Sequence, residues 1–216
     1  PFGDRPGRTD TFGVSHTLDD TWTLSGALDL GTVEDDALGT LERRAVSAGA
    51  SGAGTDWSGG ARLELRTEDG TDGAQDRTTW GLSADARRSV SAGVTLLGDA
   101  DVLLSEAETP DGDGEYVELS FGTAWRPVQH DRIDLLGRVS YLRDLPGADQ
   151  IGRDGTTDGP EQVSRIVSLD ANWRATPTLT LGGKYGLRAS EITPRDGDPG
   201  YEATGHLGIL RADIHI

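Results

Sequence analysis

A regular alternation of apolar and polar side chains runs through the middle of the chain. From residue 117 to 125 every second side chain belongs to one set: Val117, Leu119, Phe121, Thr123 and Trp125. After a polar turn the alternation resumes with Ile133, Leu135, Gly137, Val139 and Tyr141. Successive side chains of a β-strand point to opposite faces, so the pattern predicts two strands that share an apolar face. The opposite face carries Glu118, Arg126, Asp134 and Arg138.

The same unit recurs along the sequence and predicts about eleven strands. They cover residues 10–18, 21–31, 43–53, 57–67, 78–88, 90–104, 116–126, 132–143, 163–174, 179–190 and 202–216. Short connections fall at 19–20, 54–56, near 89, 127–131 and 175–178; long, acidic ones cover 32–42, 68–77, 105–115, 144–162 and 191–201. Every second connection of a meander lies at the same end, so one rim is short and the other long and acidic.

These features together are typical of a transmembrane β-barrel, in which strands alternate lipid-facing and lumen-facing residues. We therefore predict an all-β fold: an antiparallel, up-and-down transmembrane β-barrel. Residues 1–216 are expected to form a single outer-membrane β-barrel domain or an incomplete barrel segment. The alternative is a soluble β-sandwich, which shows the same alternation but buries its apolar faces against each other.

Aromatic residues cluster at the predicted strand ends. Four tryptophans fall beside the short turns, and Trp80, Tyr116, Tyr141 and Tyr201 fall near the long connections. Amphipathic rings prefer the membrane–water interface, so we predict an aromatic girdle. Its members are Trp22, Trp57, Trp80, Trp125, Tyr141 and Trp173. In the alternative, these rings cap the ends of a soluble core.

Charged side chains share the parity opposite to the apolar residues. We predict that they line a lumen, because an Arg or Lys facing lipid at mid-depth costs roughly 2–4 kcal/mol. The predicted lumen-lining charges are Arg62, Glu64, Arg66, Asp85, Arg87, Asp99, Asp101, Glu118, Asp134, Arg138, Asp170, Lys184 and Arg188. The Ala/Ser/Gly-rich third strand, around 45–52, fits neither face well.

Composition excludes several classes of protein. The net charge of −17 argues against nucleic acid as a partner, and the absence of cysteine excludes disulfides and thiolate metal sites. No run of 18 apolar residues occurs, so no transmembrane helix is expected. The mean hydropathy of −0.46 does not conflict with a barrel, whose strands never build such a run. The chain opens Pro1-Phe2 without a signal peptide, and we expect a mature segment or part of something longer.

Three stretches resemble a known group of proteins: TLDDTWTLSGALDLGTVED, AWRPVQHDRIDLLGRVSYLRDLP and LTLGGKYGLR. They are similar to the C-terminal β-barrel region of large Gram-negative outer-membrane proteins of the repeat-bearing, cell-surface type. The resemblance implies a bacterial outer-membrane location, with the lipid bilayer and lipopolysaccharide as partners. Such barrels continue beyond a segment like ILRADIHI and end on an aromatic residue, whereas this chain ends at Ile216. We therefore expect missing sequence or another chain to close the barrel edges.

Candidate catalytic groups are few. Asp99 and Asp101, with Asp213 and His215, invite comparison with outer-membrane proteases that set two acids against an Asp–His pair. The predicted topology places these two sets mid-strand and at the short-turn rim, whereas active sites of that family lie at the outer mouth. No Gly-x-Ser-x-Gly elbow occurs. The four histidines, His16, His130, His206 and His215, share no metal-ligand spacing. We predict no enzymatic activity.

Metal and cofactor sites are also not predicted, with one exception. Asp111, Asp113 and Glu115, and separately Asp196 and Asp198, offer oxygen ligands on flexible loops. Calcium is the ion that such ligands suit, but the twelve-residue EF-hand spacing is missing. The simplest interpretation of these acidic loops is a solvated outer surface.

The sequence therefore predicts an outer-membrane, porin-like β-barrel that acts as a membrane anchor or passive pore for a larger surface protein. Paired charges such as Arg62 with Asp85 or Asp170 with Lys184 would seal the lumen of an anchor, whereas unpaired charges around a wide opening would conduct ions. The alternatives are a soluble extracellular binding, adhesion or self-assembling β-protein, and an outer-membrane hydrolase.

Overall fold

Eleven antiparallel strands form one sheet in chain order. The computed structural model describes residues 7–35, 39–71, 76–107, 113–127, 132–145, 160–194 and 199–214. The strands are β1 (Gly7–Thr17), β2 (Trp22–Asp35), β3 (Gly39–Ala53), β4 (Trp57–Thr71), β5 (Arg77–Ser91), β6 (Val94–Ala107), β7 (Gly114–Trp125), β8 (Ile133–Leu145), β9 (Glu161–Thr176), β10 (Leu179–Thr193) and β11 (Tyr201–Ile214). Each pairs with its neighbours in sequence, and the sheet does not close on itself. Within the described ranges no helix has the length and apolar character needed to cross a membrane.

The predicted strands are all present, but they are longer than expected at one rim. β2, β4 and β10 continue to Asp35, Thr71 and Thr193, into stretches predicted as long connections. The sequence of these stretches no longer alternates between apolar and polar residues. The strands nevertheless continue, because the backbone hydrogen bonds between strands do not depend on the side chains. The long connections predicted at 32–42, 68–77, 105–115, 144–162 and 191–201 are therefore shorter than expected.

One short turn also differs from its prediction. The turn expected near Ser89 lies at 92–93, because β5 continues through a register shift between Ser89 and Ser91. Gly93 then approaches the next hairpin so closely that a Cβ would lie 2.7 Å from the Arg126 carbonyl oxygen. The Arg126 amide donates to the Gly93 carbonyl at 2.7 Å, which ties the two hairpins together.

Strand register separates the side chains into two faces, which we call the apolar face and the polar face. On the apolar face Leu63 lies opposite Leu82, and Leu82 lies opposite Val102. Apolar pairs recur on the far strands, where Val139 lies opposite Val167. Phe121 and Leu169 also lie on this face, with 56% and 51% of their surface exposed. The apolar side chains therefore do not meet each other in a closed core.

Among the described residues, the polar face is the more buried side of the sheet. Every buried residue that has a side chain lies on it: Ala45, Ser47, Glu68, Arg77, Ser105, Ser120 and Ser164. A cavity of about 1150 Å³ lies between Arg87 and Leu97 on one side and Leu136 and Asp170 on the other. The third strand, which fitted neither face by sequence, turns Ala45 and Ser47 inward and Val46 outward.

Candidate functional site

The charged side chains predicted to line a lumen share one face of the wall. Register places all of them on the polar face: Arg62, Glu64 and Arg66 on β4; Asp85 and Arg87 on β5; Asp99 and Asp101 on β6; Glu118 on β7; Asp134 and Arg138 on β8; Asp170 on β9; Lys184 and Arg188 on β10. Their lumen-lining role stays a prediction, because the sheet is open. The polar face also carries Leu103, Leu136, Leu207 and Ile209, which the sequence prediction did not identify as a group.

Several of these charges form ion pairs. The Lys184 ammonium lies 3.6 Å from Asp170, and Arg138 lies 3.4 Å from Asp99. The expected pair of Arg62 with Asp85 is not formed. Arg62 contacts Glu64 of its own strand at 3.4 Å, because Ser83 rather than Asp85 lies opposite it across the β4–β5 ladder.

Serine hydroxyls connect the cations to the wall. The Ser120 and Ser140 Oγ atoms are 2.8 Å apart, and the Arg138 guanidinium donates to Ser120 at 2.9 Å. A second set repeats the arrangement: the Ser164 and Ser190 Oγ atoms are 2.8 Å apart, and Arg188 donates to both of them. Ser164 is fully buried. The sequence prediction missed this network, because it depends on cross-strand register, although serine at inward positions was a visible signal.

Four carboxylates occupy adjacent positions on β5, β6 and β7. Asp85 lies directly opposite Asp99, and Asp101 lies directly opposite Glu118. Arg138 compensates Asp99, and the Tyr116 hydroxyl donates to Glu118 at 2.6 Å. Like charges directly opposite each other in a sheet are destabilising. This acidic group is therefore a local source of negative potential on the polar face.

We expect Asp101→Asn to stabilise the sheet at low salt. Asp101 faces Glu118 and forms no ion pair within the described part of the chain. Removing its charge should raise the free energy of unfolding by about 0.5 kcal/mol, the scale of one cross-strand pair. The gain should shrink near 1 M salt, where the Debye length falls to about 3 Å. Denaturant midpoints at two salt concentrations measure it. Asp99→Asn is the control and should show no gain, because it loses the contact with Arg138.

The aromatic residues assigned to the girdle lie on the apolar face, at the strand ends or three to four residues inside them. They are Trp22, Trp57, Trp80, Trp125, Tyr141 and Trp173. The rings of Trp22 and Trp57 lie side by side, with centroids 5.4 Å apart. Tyr116 and Tyr201, which also fall near the long connections, lie on the polar face.

Arginine–carboxylate clusters follow the long-connection rim on both faces. On the polar face Glu68 is buried and contacts Arg43 at 2.6 Å. On the apolar face Arg143 contacts Glu115 at 3.0 Å and Glu161 at 2.7 Å. These clusters lie near the long-connection ends of their strands, and Leu41 and Leu145 lie beyond Arg43 and Arg143 on the same strands. They stabilise a charged rim.

The candidate catalytic and metal groups do not converge in the described residues. Asp99 is paired with Arg138, and His206 lies on the apolar face, where its Nδ1 is 2.8 Å from the Tyr185 hydroxyl. No group of three His, Cys, Asp or Glu side chains is placed to hold a metal ion in the part of the chain that is described. His130 and His215 lie outside that part.

The calcium prediction for the acidic loops stays a prediction. Asp111, Asp196 and Asp198 lie outside the described residues. Asp113 accepts a hydrogen bond from the Ala107 amide at 2.9 Å, and Glu115 is engaged by Arg143.

Comparisons with known proteins identify the fold. No family model matches the chain, and no curated protein sequence matches it. Among solved structures it is similar to the ferric-catecholate import receptor Fiu from Escherichia coli K12. The open form matches with a TM-score of 0.56 and 12% identity, over 97% of this chain and 49% of that one. The closed form matches with a TM-score of 0.57 and 11% identity, over 97% and 46%. The chain thus spans about half the length of these structures.

A weaker similarity is to the ferric yersiniabactin uptake receptor FyuA from Yersinia pestis, with a TM-score of 0.47 and 12% identity, over 97% of this chain and 42% of that one. All of these neighbours are bacterial outer-membrane β-barrel proteins, the location predicted for this chain. The similarity to Fiu establishes the fold alone, because identity is so low. The chain has the fold of an outer-membrane β-barrel wall: all-β, antiparallel and up-and-down, with free edges at β1 and β11.

Proposed function

We propose that this chain is a lipid-facing wall of an outer-membrane β-barrel that anchors a larger surface protein in the membrane, without catalysis. One observation carries the proposal: the apolar face is exposed along the whole sheet, while the charged residues predicted to line the lumen all lie on the other face. Monomeric soluble proteins rarely expose contiguous apolar patches of more than a few hundred Å². Hydrocarbon is the environment in which such a face is stable.

The height of the apolar face supports the proposal that this face contacts the hydrocarbon of a bilayer. On β4 the apolar-face side chains run from Trp57 to Leu65, and Thr67 and Asp69 follow them. That stretch is about nine residues, or ~30 Å along the strand at ~3.3 Å per residue. Barrel strands tilt by ~35–45°, which reduces the height to ~23 Å, close to the ~25 Å apolar band of outer-membrane barrels.

The charged rim beyond the apolar face suits the lipid headgroup region. Arg143 and Arg44 lie on the apolar side of the wall near the long-connection rim. Arg143 lies between Tyr141 and Leu145 on that side of β8, and Arg44 lies two residues from Val46 on β3. Guanidinium groups pair well with phosphate and carboxylate groups. We propose lipopolysaccharide as the partner at this rim, and the barrel region of a repeat-bearing surface protein as the type of protein to which the wall belongs. Residues 1–216 would then form one barrel domain or segment.

Cell fractionation tests the anchor function. We expect the protein to sediment with the outer membrane, to require detergent for extraction, and to migrate differently in electrophoresis before and after boiling. Recovery as a monodisperse soluble protein without detergent would contradict the proposal and favour an extracellular β-protein.

A passive pore is the second candidate function, and the acidic group on the polar face favours it. Asp85 and Asp101 form no ion pair within the described residues, and the open eleven-stranded sheet implies a wide barrel. Barrels of 16–18 strands leave an aqueous channel. Planar-bilayer recording separates the two functions: ohmic conductance steps support the pore, and a silent bilayer containing inserted protein supports the sealed anchor.

A further inference from the structure

The two outer strands of the sheet run in the same direction. β1 ends at Thr17, just before the short turn at 18–21. β11 begins at Tyr201, after the long connection that follows Thr193. Both strands therefore run from the long-connection rim to the short-turn rim. In the described sheet each has a single hydrogen-bonded neighbour, β2 or β10.

Each outer strand leaves a row of backbone donors and acceptors without a partner. In an antiparallel pair, about half of the residues direct their N–H and C=O groups to the neighbour and the rest direct them away. Hydrocarbon offers no hydrogen bonds, so open sheet edges do not occur there. This step rests on the proposed membrane location. If it holds, further strands must cover both edges.

Strand direction limits what those strands can be. Two copies of this chain inserted in the same orientation would meet in parallel whichever edges join, because β1 and β11 run the same way. Every strand pair within the sheet is antiparallel. We propose that a distinct wall segment with an odd number of strands, whose two outer strands run toward the long-connection rim, completes the barrel, and that a second copy of this chain does not.

The two edges call for different partner strands. On β1 the faces alternate normally, with Phe12 and Val14 on the apolar face and threonines on the polar face. On β11 both faces are apolar in the middle, because Leu207 and Ile209 lie on the polar face and Leu210 on the apolar face. Strands that are buried on both sides show such continuous apolar runs. The strand next to β11 should therefore bring apolar side chains to the lumen side as well.

Cysteine cross-linking tests the proposal, because the natural chain has no cysteine. Single variants Thr9→Cys and Ser15→Cys on β1, and Ala203→Cys and Leu207→Cys on β11, are placed in the chromosomal gene. Outer membranes of the native host are treated with a short reagent that carries a maleimide at one end and a photoreactive diazirine at the other. The maleimide attaches to the introduced thiol, the diazirine inserts on illumination into whichever segment lies beside it, and linked peptides are identified by mass spectrometry. We expect links to residues outside 7–214. The partner of Ser15→Cys should precede the partner of Thr9→Cys in its sequence, as antiparallel pairing requires.

The single variant Ser120→Cys is the control, because the Ser120 hydroxyl is 2.8 Å from that of Ser140 and its link should fall on β8. A link between two copies through β1 or β11, a link between β1 and β11 of one copy, or partner residues in the same order would overturn the proposal. Edge variants whose links fall on their own sheet alone, while the control links to β8, would also overturn it. Absence of the protein from the membrane fraction would instead contradict the proposed function.

Discussion

Leu63→Arg is expected to destabilise the protein in a bilayer by about 2–4 kcal/mol, the cost of a cation at mid-depth on the lipid face of a barrel. Leu63 lies opposite Ala48 and Leu82 in the centre of the apolar face, and 59% of its surface is exposed. In a soluble protein a substitution at so exposed a position would change stability by less than about 0.5 kcal/mol. The expected loss therefore measures hydrocarbon contact and not local packing.

Ser83→Arg is the matched control. Ser83 follows Leu82 on β5 but lies on the polar face, opposite Asp101. An arginine introduced there lies between Asp101, which attracts it, and Arg62, which repels it, so stability should stay nearly unchanged. Unfolding titrations in phospholipid bilayers, followed by heat-modifiable migration, compare the two variants. Equal effects would mean that the two faces see the same environment, which would contradict the membrane orientation.

Glu68→Gln is expected to cost about 2–3 kcal/mol through loss of a buried countercharge. Glu68 lies between Arg43 of β3 and Arg77 of β5 in the ladder, with an Arg43–Glu68 distance of 2.6 Å. Breaking a fully buried ion pair costs about 3–5 kcal/mol. The expected loss is smaller, because the Arg43 side chain is 37% exposed. The midpoint of denaturant unfolding measures the change.

Glu42→Gln is the control for this variant. Glu42 pairs with Arg44 of the same strand at 3.4 Å, and both side chains are well exposed. Surface ion pairs contribute about 0–1 kcal/mol, so Glu42→Gln should have little effect, and less at high salt. A loss as large as that of Glu68→Gln would show that burial does not set the strength of the rim clusters.

Much of the fold could be predicted from the alternation of side chains. Successive residues of a strand point to opposite faces, so the alternation alone predicts that Leu63 lies on the apolar face and Arg62 on the polar face. The structure has both residues on these faces. The ends of the strands on the long-connection side could not be predicted in this way. At Asp35, Thr71 and Thr193 the alternation has ceased, and only backbone hydrogen bonding extends the strand.

The contacts on the polar face depended on information that the sequence pattern does not carry. Whether Arg62 meets Asp85 or Glu64 is decided by cross-strand register, which is fixed only when the neighbouring strands pair. The same holds for the contact of Arg188 with Ser164 and Ser190. Parity predicted which face a charged group occupies, and register determined its partner.

The extra length of the strands has a consequence for whatever the barrel carries. β2, β4 and β10 continue three or four residues past their predicted ends, up to ~13 Å along the strand at ~3.3 Å per residue, or ~10 Å in height at a tilt of ~35–45°. The connections thus start from the ends of hydrogen-bonded strands and not from the bilayer surface. Peptides grafted into those connections would be presented to antibodies at a fixed height, which makes this rim a suitable scaffold for antigen display.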